Sequence, residues 1–326
     1  MTITSKNPTE DISKARPQLK TNSVKQYVAN LTKLQKIFDT DNYNFLKNPE
    51  EVMEKISELN YLSQRNILNA VVVLLSALNH DGKQDDLLEE YGKLRDERNS
   101  MYIEQNKGGE ISDKQAPNFT TTEEIFKMIN QMADDLKPIK KKNKDQITKK
   151  EMALLQAYVL FNIYARMPFR NDLGNGAEAI NQAAYNKLSE EEKKDNNFLV
   201  VPSKGNLYWV MNKYKTSKKY EELDLPIEDP ALRKILRYYL KINGMGVLFK
   251  TSTGKPVSKG ELSKILIKYS KQYLNKSISS TLLRKIYLSS KYSNVKDEME
   301  KDAKMMGNSV ATQQAVYVKK PQKDEE

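Results

Sequence analysis

Near the end of this 326-residue chain, Met306-Gly307-Asn308-Ser309 reads as a short turn, and Tyr317 follows nine residues after Asn308. A tyrosine hydroxyl is an oxygen nucleophile that can carry a covalent phosphoryl intermediate. Two arginines stand upstream in contexts suited to an anion: Arg170, just after Pro168 at a predicted helix end, and Arg284, between Leu282/Leu283 and Ile286/Tyr287. Attack on a phosphodiester builds negative charge on the non-bridging oxygens, which fixed donors must meet. The guanidinium suits that task because its planar fork pairs bidentately with phosphate and does not deprotonate. Lys215, in Lys213-Tyr214-Lys215-Thr216, adds an ammonium group at the end of a predicted strand. A tyrosine, two arginines and a lysine are the set that metal-free cutting and rejoining of DNA requires.

Each of these residues also has an ordinary reading. Tyr317 is one of 18 tyrosines and suits a core or an interface. Arg166 competes with Arg170, since either can cap the helix that Pro168 ends. Arg284 suits a surface salt bridge. Lys213, Lys218 and Lys219 are close rivals of Lys215, which only the Lys-Thr pair at a strand end singles out.

The composition narrows the chemistry. There is no cysteine, and the one histidine, His80, ends a predicted helix, where capping is its expected role. Thiol nucleophiles, disulfide frameworks and cysteine- or histidine-based metal cages are therefore not expected, and neither metal nor cofactor is called for. The balance of 54 Lys+Arg against 43 Asp+Glu gives a net charge of +11, which points to a polyanionic partner. From Ser203 to Lys276 there are 16 Lys+Arg against 6 Asp+Glu, so nearly all of the surplus sits there. The longest apolar run, Ala70 to Leu78, suits a buried helix rather than a membrane span, and residues 1–20 have no secretion-signal pattern.

Elements must bring these residues together. Residues 1–20 lack periodicity and are expected to form a flexible arm. Helices are predicted from Val24 to Phe38, from Pro49, from Ser63 to Asn79 and from Asp85 to Gln105, which together make a small bundle. Lys107 to Thr122 reads as a linker, giving an expected division into residues 1–20, 21–117 and 118–326. Beyond it, helices are predicted from Thr122 to Leu136 and from Thr148 to Pro168, and strands at Phe198–Pro202, Leu207–Tyr214 and Leu223–Ile227. Helices follow at Asp229–Ile242, Ser258–Leu274, Ser279–Ser290 and Lys296–Met305. The fold class expected is mainly α with a small antiparallel β-sheet, α+β.

The order of these motifs resembles the tyrosine recombinase (phage-type integrase) family. Pro168-Phe169-Arg170-Asn171-Asp172 is similar to its first arginine box, Lys213-Tyr214-Lys215-Thr216 to its hairpin lysine, and Leu282-Leu283-Arg284-Lys285-Ile286-Tyr287 to its second arginine box. Met306-Gly307-Asn308-Ser309 with Tyr317 looks like its last box, and the wording is closest to integrases of large eukaryotic DNA viruses and virophages. The resemblance covers most of residues 120–320. It implies a helical core-binding domain ahead of a mixed catalytic domain, the two clamping double-stranded DNA, and four protomers joining two duplexes. It also implies Tyr317 as nucleophile, Arg170 and Arg284 at the phosphate, Lys215 as general acid, and Lys213, Lys218, Lys219 and Lys285 against the DNA. An intracellular site of action follows, wherever the DNA lies: nucleus, viral factory or virion. Neither a membrane nor a small-molecule substrate is implied.

Two positions depart from the family pattern. Thr281 and Asn308 stand where histidines are usual, and neither exchanges a proton near neutral pH. They motivate a second reading, a recombinase homologue that binds DNA with weakened or lost cleavage. A third reading, a type IB topoisomerase or hairpin resolvase, shares the chemistry without synapsis.

Overall fold

The computed structural model describes residues 3–314 apart from 80, 81, 108, 110, 114, 175 and 308, and only the main chain of 107, 140, 218, 219 and 312. His80, Asn308 and Tyr317 thus lie outside the described residues. The chain forms two compact units, Met1–Glu110 and Ile111–Glu326.

The first unit contains α1 (Pro8–Ala15), α2 (Thr21–Ile37), α3 (Pro49–Lys55), α4 (Tyr61–Leu78) and α5 (Asp85–Lys107). Asparagine side chains start three of them: Asn7, Asn48 and Asn60 accept from the main-chain N–H groups of Glu10, Glu51 and Ser63. Each satisfies a donor that the first helical turn leaves without a partner. α4 is long and apolar enough by composition to cross a bilayer. In this unit it is instead the central helix, packed by α1, α2 and α5, with Ile67, Leu68, Val71, Leu74 and Leu75 buried. α1 corrects the expectation of a flexible arm over residues 1–20. Ile12 and Ile3 are buried, and the Ile3 N–H donates to Asn44 Oδ1 at 3.0 Å. Two isolated isoleucines in a polar stretch carry no readable period, and only tertiary packing gives them a partner surface.

The second unit is built around α7 (Lys149–Arg166), after α6 (Thr122–Asp135). Thr148 and Glu151 form a reciprocal capping box at the start of α7, and from Leu155 to Ala165 nearly every side chain is buried. Then come β1 (Glu178–Asn181), α8 (Gln182–Tyr185), α9 (Glu190–Lys194), β2 (Asn197–Val201), β3 (Tyr208–Met211), α10 (Ser217–Tyr220) and β4 (Leu223–Pro226). α11 (Pro230–Asn243), β5 (Gly246–Val247), α12 (Lys259–Leu274), α13 (Ser280–Met305) and α14 (Val310–Thr312) complete it. Helices α6, α11, α12 and α13 pack on α7.

The fold is α+β, mainly helical with a small five-stranded sheet in the order β4-β3-β2-β1-β5. The sheet is mixed rather than antiparallel throughout, because β1 runs parallel to β2 in the register Ala179↔Leu199. β1 and β5 escape sequence reading: one is four residues with no β-branched run and the other is a single Gly-Val pair. Strand alternation divides the sheet between two cores. Leu199, Trp209 and Met211 join the main core, while Phe198, Val200 and Val210 pack with Tyr185 of α8.

α13 is one helix of 26 residues where two were expected. No glycine or proline lies between Ser290 and Lys296 to end the first. It stops at Gly307, whose φ of +66° is the left-handed conformation that glycine adopts without steric cost.

Candidate functional site

Arg170 sits where α7 has just been stopped. Pro168 cannot continue the helix, and Arg170 becomes the extended N-cap residue of a short 3-10 turn, Asn171–Leu173. The turn is held from several sides. Phe169 packs edge-on against buried Trp209, ring centroids 5.7 Å apart. The buried Tyr164 hydroxyl donates to the Arg170 carbonyl at 2.9 Å. Asn171 Nδ2 donates to Ser263 Oγ at 2.8 Å and to the Lys259 carbonyl at 3.2 Å. Buried Asp172 pairs with Lys259 Nζ at 2.6 Å. A Cβ at Gly174 would lie 2.7 Å from the Lys259 main-chain nitrogen, so no other residue fits that approach without movement. The Arg170 side chain is left exposed at the surface of this braced turn.

Arg166 takes a different role from its neighbour. Its Nε donates to Asp229 Oδ2 at 2.7 Å, its Nη1 to Asn162 Oδ1 at 2.8 Å, and its guanidinium lies over the Phe126 ring at 4.8 Å. With one face on Phe126 and two of its nitrogens bonded, Arg166 is a structural residue of the α6–α7–α11 packing.

The loop between β3 and β4 approaches the turn from the sheet. Arg170 Nη1 donates to Thr216 Oγ1 at 3.5 Å, next to Lys215 in the chain. Lys213 and Lys215 are both exposed on this loop. Its start is fixed by Asn197, the buried first residue of β2. Asn197 Oδ1 accepts from the N–H groups of Asn212 and Lys213 at 2.9 and 2.8 Å. Asn197 Nδ2 donates to the carbonyls of Lys213 and Asp172 at 3.0 and 2.8 Å. Sequence reading passed over Asn197, Tyr164 and Lys259. An asparagine opening a run of apolar residues, Phe198 to Val201, was the one available signal for Asn197.

Arg284 comes from the second turn of α13, whose N-cap is Ser279. Leu282, Leu283 and Ile286 anchor that turn in the core and leave Arg284 half-buried. Its Nη2 donates to Thr281 Oγ1 at 3.2 Å, and its buried Nε meets no acceptor among the described residues. Burial first, and then the positive charge of Arg170, hold the Arg284 pKa below its ordinary value, while Tyr164 and Asp172 act the other way. Arg170 and Arg284 are therefore close enough to repel each other. Arg284 is thus a half-buried cation with an unmet donor and a like charge nearby, an arrangement that an anion would relieve.

Thr281 orients Arg284 and has no group that titrates near neutral pH. Lys285 is exposed, and its Nζ donates to Gln115 Oε1 at 2.6 Å. Of Lys218 and Lys219 the main chain alone is described, within α10. Gly307 turns the chain beyond α13, and α14 packs back on that helix, where Gln314 Nε2 reaches Met299 Sδ at 3.6 Å. Asn308 and Tyr317 are outside the described residues. Among the described residues, no group of three or more His, Cys, Asp or Glu is arranged to hold a metal ion. No family model, no curated protein and no solved structure matches the chain.

Proposed function

We propose that this protein is a DNA strand-cutting and rejoining enzyme of the tyrosine recombinase type, acting on double-stranded DNA through a covalent 3′-phosphotyrosine. The observation that carries this reading is the pair of arginines, Arg170 and Arg284, drawn from two distant boxes to within range of each other's charge. Such a pair is unfavourable alone and suits one phosphate held between two guanidinium forks. Lys215 lies beside the Thr216 that Arg170 contacts, within the same small region.

In the proposed step, Tyr317 Oη attacks the phosphorus and the bond to the 5′ oxygen breaks. Arg170 and Arg284 take the charge that develops on the non-bridging oxygens. Lys215 gives a proton to the departing 5′ oxygen, and the phenol proton passes to water, since Thr281 and Asn308 cannot take it near neutral pH. Attack by a 5′ hydroxyl on the phosphotyrosine reverses the sequence and rejoins the strand, with no ATP or metal. By family resemblance, four protomers would act on two duplexes.

The test is incubation with a nicked duplex in which the short downstream fragment, released with a free 5′ hydroxyl, diffuses away after cleavage. A denaturant-stable protein–DNA adduct, mapped to Tyr317 and absent in Tyr317→Phe, is the expected result. Tight duplex binding with no adduct at any pH would replace this reading with a second one, a recombinase homologue that binds without cutting. Thr281 bonded to Arg284, where a proton-exchanging group is usual, favours that alternative.

A further inference from the structure

We propose that Asn197 is a positioning residue that sets the spacing between the Arg170 turn and the Lys215 loop. The catalytic part of this inference rests on the function proposed above; the structural part does not. An asparagine amide offers two N–H donors and an oxygen with two lone pairs. At Asn197 all four are used, by the carbonyls of Asp172 and Lys213 and the N–H groups of Asn212 and Lys213. The amide orientation is unambiguous, because a flip would set N–H against N–H and oxygen against oxygen.

The placement explains the choice of residue. Asn197 opens β2 and pairs with Met211, the last residue of β3. Beyond Met211 the ladder has no main-chain partner left on β2, and the Asn197 side chain takes over for the next two residues. The same side chain reaches the Asp172 carbonyl, two residues past Arg170. One buried group thus ties together segments that begin 25 and 15 residues away in sequence. A group this fully bonded in the interior is rigid, because each bond it gives up strands a buried partner. Catalytic groups lose rate steeply when their spacing shifts by about 1 Å, and a rigid tie between two loops is a means of holding it.

The experiment uses the full chain with Asn197→Ala, Asn197→Asp, which keeps the shape but loses both donors, and Tyr239→Phe as a control. Tyr239 donates from its buried hydroxyl to the Leu248 carbonyl, away from both loops, so its loss tests unspecific weakening of the same unit. Amide hydrogen exchange is measured at Asn212 and Lys213, and adduct formation and duplex affinity are measured with the nicked substrate. In Asn197→Ala the two amides are expected to exchange at least about tenfold faster. Adduct formation should fall at least about tenfold in both Asn197 variants with affinity changed by less than about threefold, and hold in Tyr239→Phe. Should Asn197→Ala fail to fold, Asn197→Ser takes its place in both measurements.

Unchanged exchange at Asn212 and Lys213 would overturn the tie itself. Faster exchange with adduct formation kept at the wild-type rate would overturn its positioning role. A wild-type protein that binds duplex and forms no adduct would refute the proposed function instead, and the exchange result would still decide whether Asn197 holds the loop.

Discussion

The hydroxyl of Tyr164 donates to the main-chain carbonyl of Arg170 at 2.9 Å, linking the interior of α7 to the turn that carries the first arginine. Burial, then the nearby Asp172 charge, push the Tyr164 pKa well above the usual tyrosine value, against an opposing effect of Arg284. The group therefore stays protonated and remains a donor across the working pH range. Tyr164→Phe should cost about 1 kcal/mol in urea unfolding, since the Arg170 carbonyl loses its donor. It should also slow adduct formation more than it weakens duplex binding; equal loss of both would mean that the bond supports folding alone.

Repulsion between Arg170 and Arg284 should be visible without DNA. Inorganic phosphate at about 100 mM should raise the melting temperature of the wild type and do so much less in Arg284→Gln, because a ligand stabilises only the form that binds it. Without phosphate, the variant should melt no lower than wild type, as a half-buried cation repelled by Arg170 has gone. An equal phosphate effect in both proteins would place the anion elsewhere.

Lys215 and Lys213 should separate chemistry from affinity. Lys215→Ala should form adduct at least about tenfold more slowly on ordinary DNA, the usual scale for a lost general acid, and recover on a substrate whose 5′ oxygen is replaced by sulfur, which leaves without a proton. Lys213→Gln should leave the sulfur-to-oxygen ratio unchanged and reduce the salt slope of duplex binding by about 0.9. A defect in Lys215→Ala that sulfur does not relieve would remove it from the general-acid role.

Gly174→Ala should destabilise the second unit by about 1–3 kcal/mol, the scale of forced overpacking, because its Cβ meets Lys259 main chain at 2.7 Å. The Asp172–Lys259 pair lies at the same contact, so the Arg170 turn should shift with it. Chemical denaturation gives the first quantity and phosphate stabilisation the second. Wild-type values in both would show that the turn and α12 can separate freely.

Glu151 supplies a pH signature. The Lys142 ammonium first, and then the Thr148 N–H and hydroxyl, hold its pKa down at about 2. A depressed carboxyl pKa contributes stability that is present above the unfolded value, near 4.3, and lost as pH falls through the folded one. Glu151→Gln should therefore melt below wild type at pH 7, and the gap should close between about pH 4 and pH 2. A gap independent of pH would assign the effect to helix propensity.

The sequence alone determined the local chemistry and much of the chain order. Pro168 had to end α7 because it lacks an N–H and clashes with the preceding turn, which leaves Arg170 in a turn whatever the rest of the fold does. Leu282, Leu283 and Ile286 bracket Arg284 at helical spacing, so its turn of α13 had to be anchored with that arginine at the edge of the core. Thr281 stood in the wrong chemical class for proton exchange from its identity alone. Tertiary structure decided which of these residues meet. The Pro-Phe-Arg wording favours Arg170 over Arg166, and the fold supplies the physical reason: Asp229, 63 residues away, commits Arg166 to an ion pair. Asn197 looks like a strand-edge polar residue until Asp172 and Lys213 converge on it. The β1 and β5 segments are too short to show a period and exist because β2 offers an edge to β1, and β1 in turn offers one to β5. Periodicity reports what a segment does with its own neighbours. The convergence of Arg170, Arg284 and the Lys215 loop depends on hydrogen bonds and charges between residues tens of positions apart, which only the folded chain brings within range.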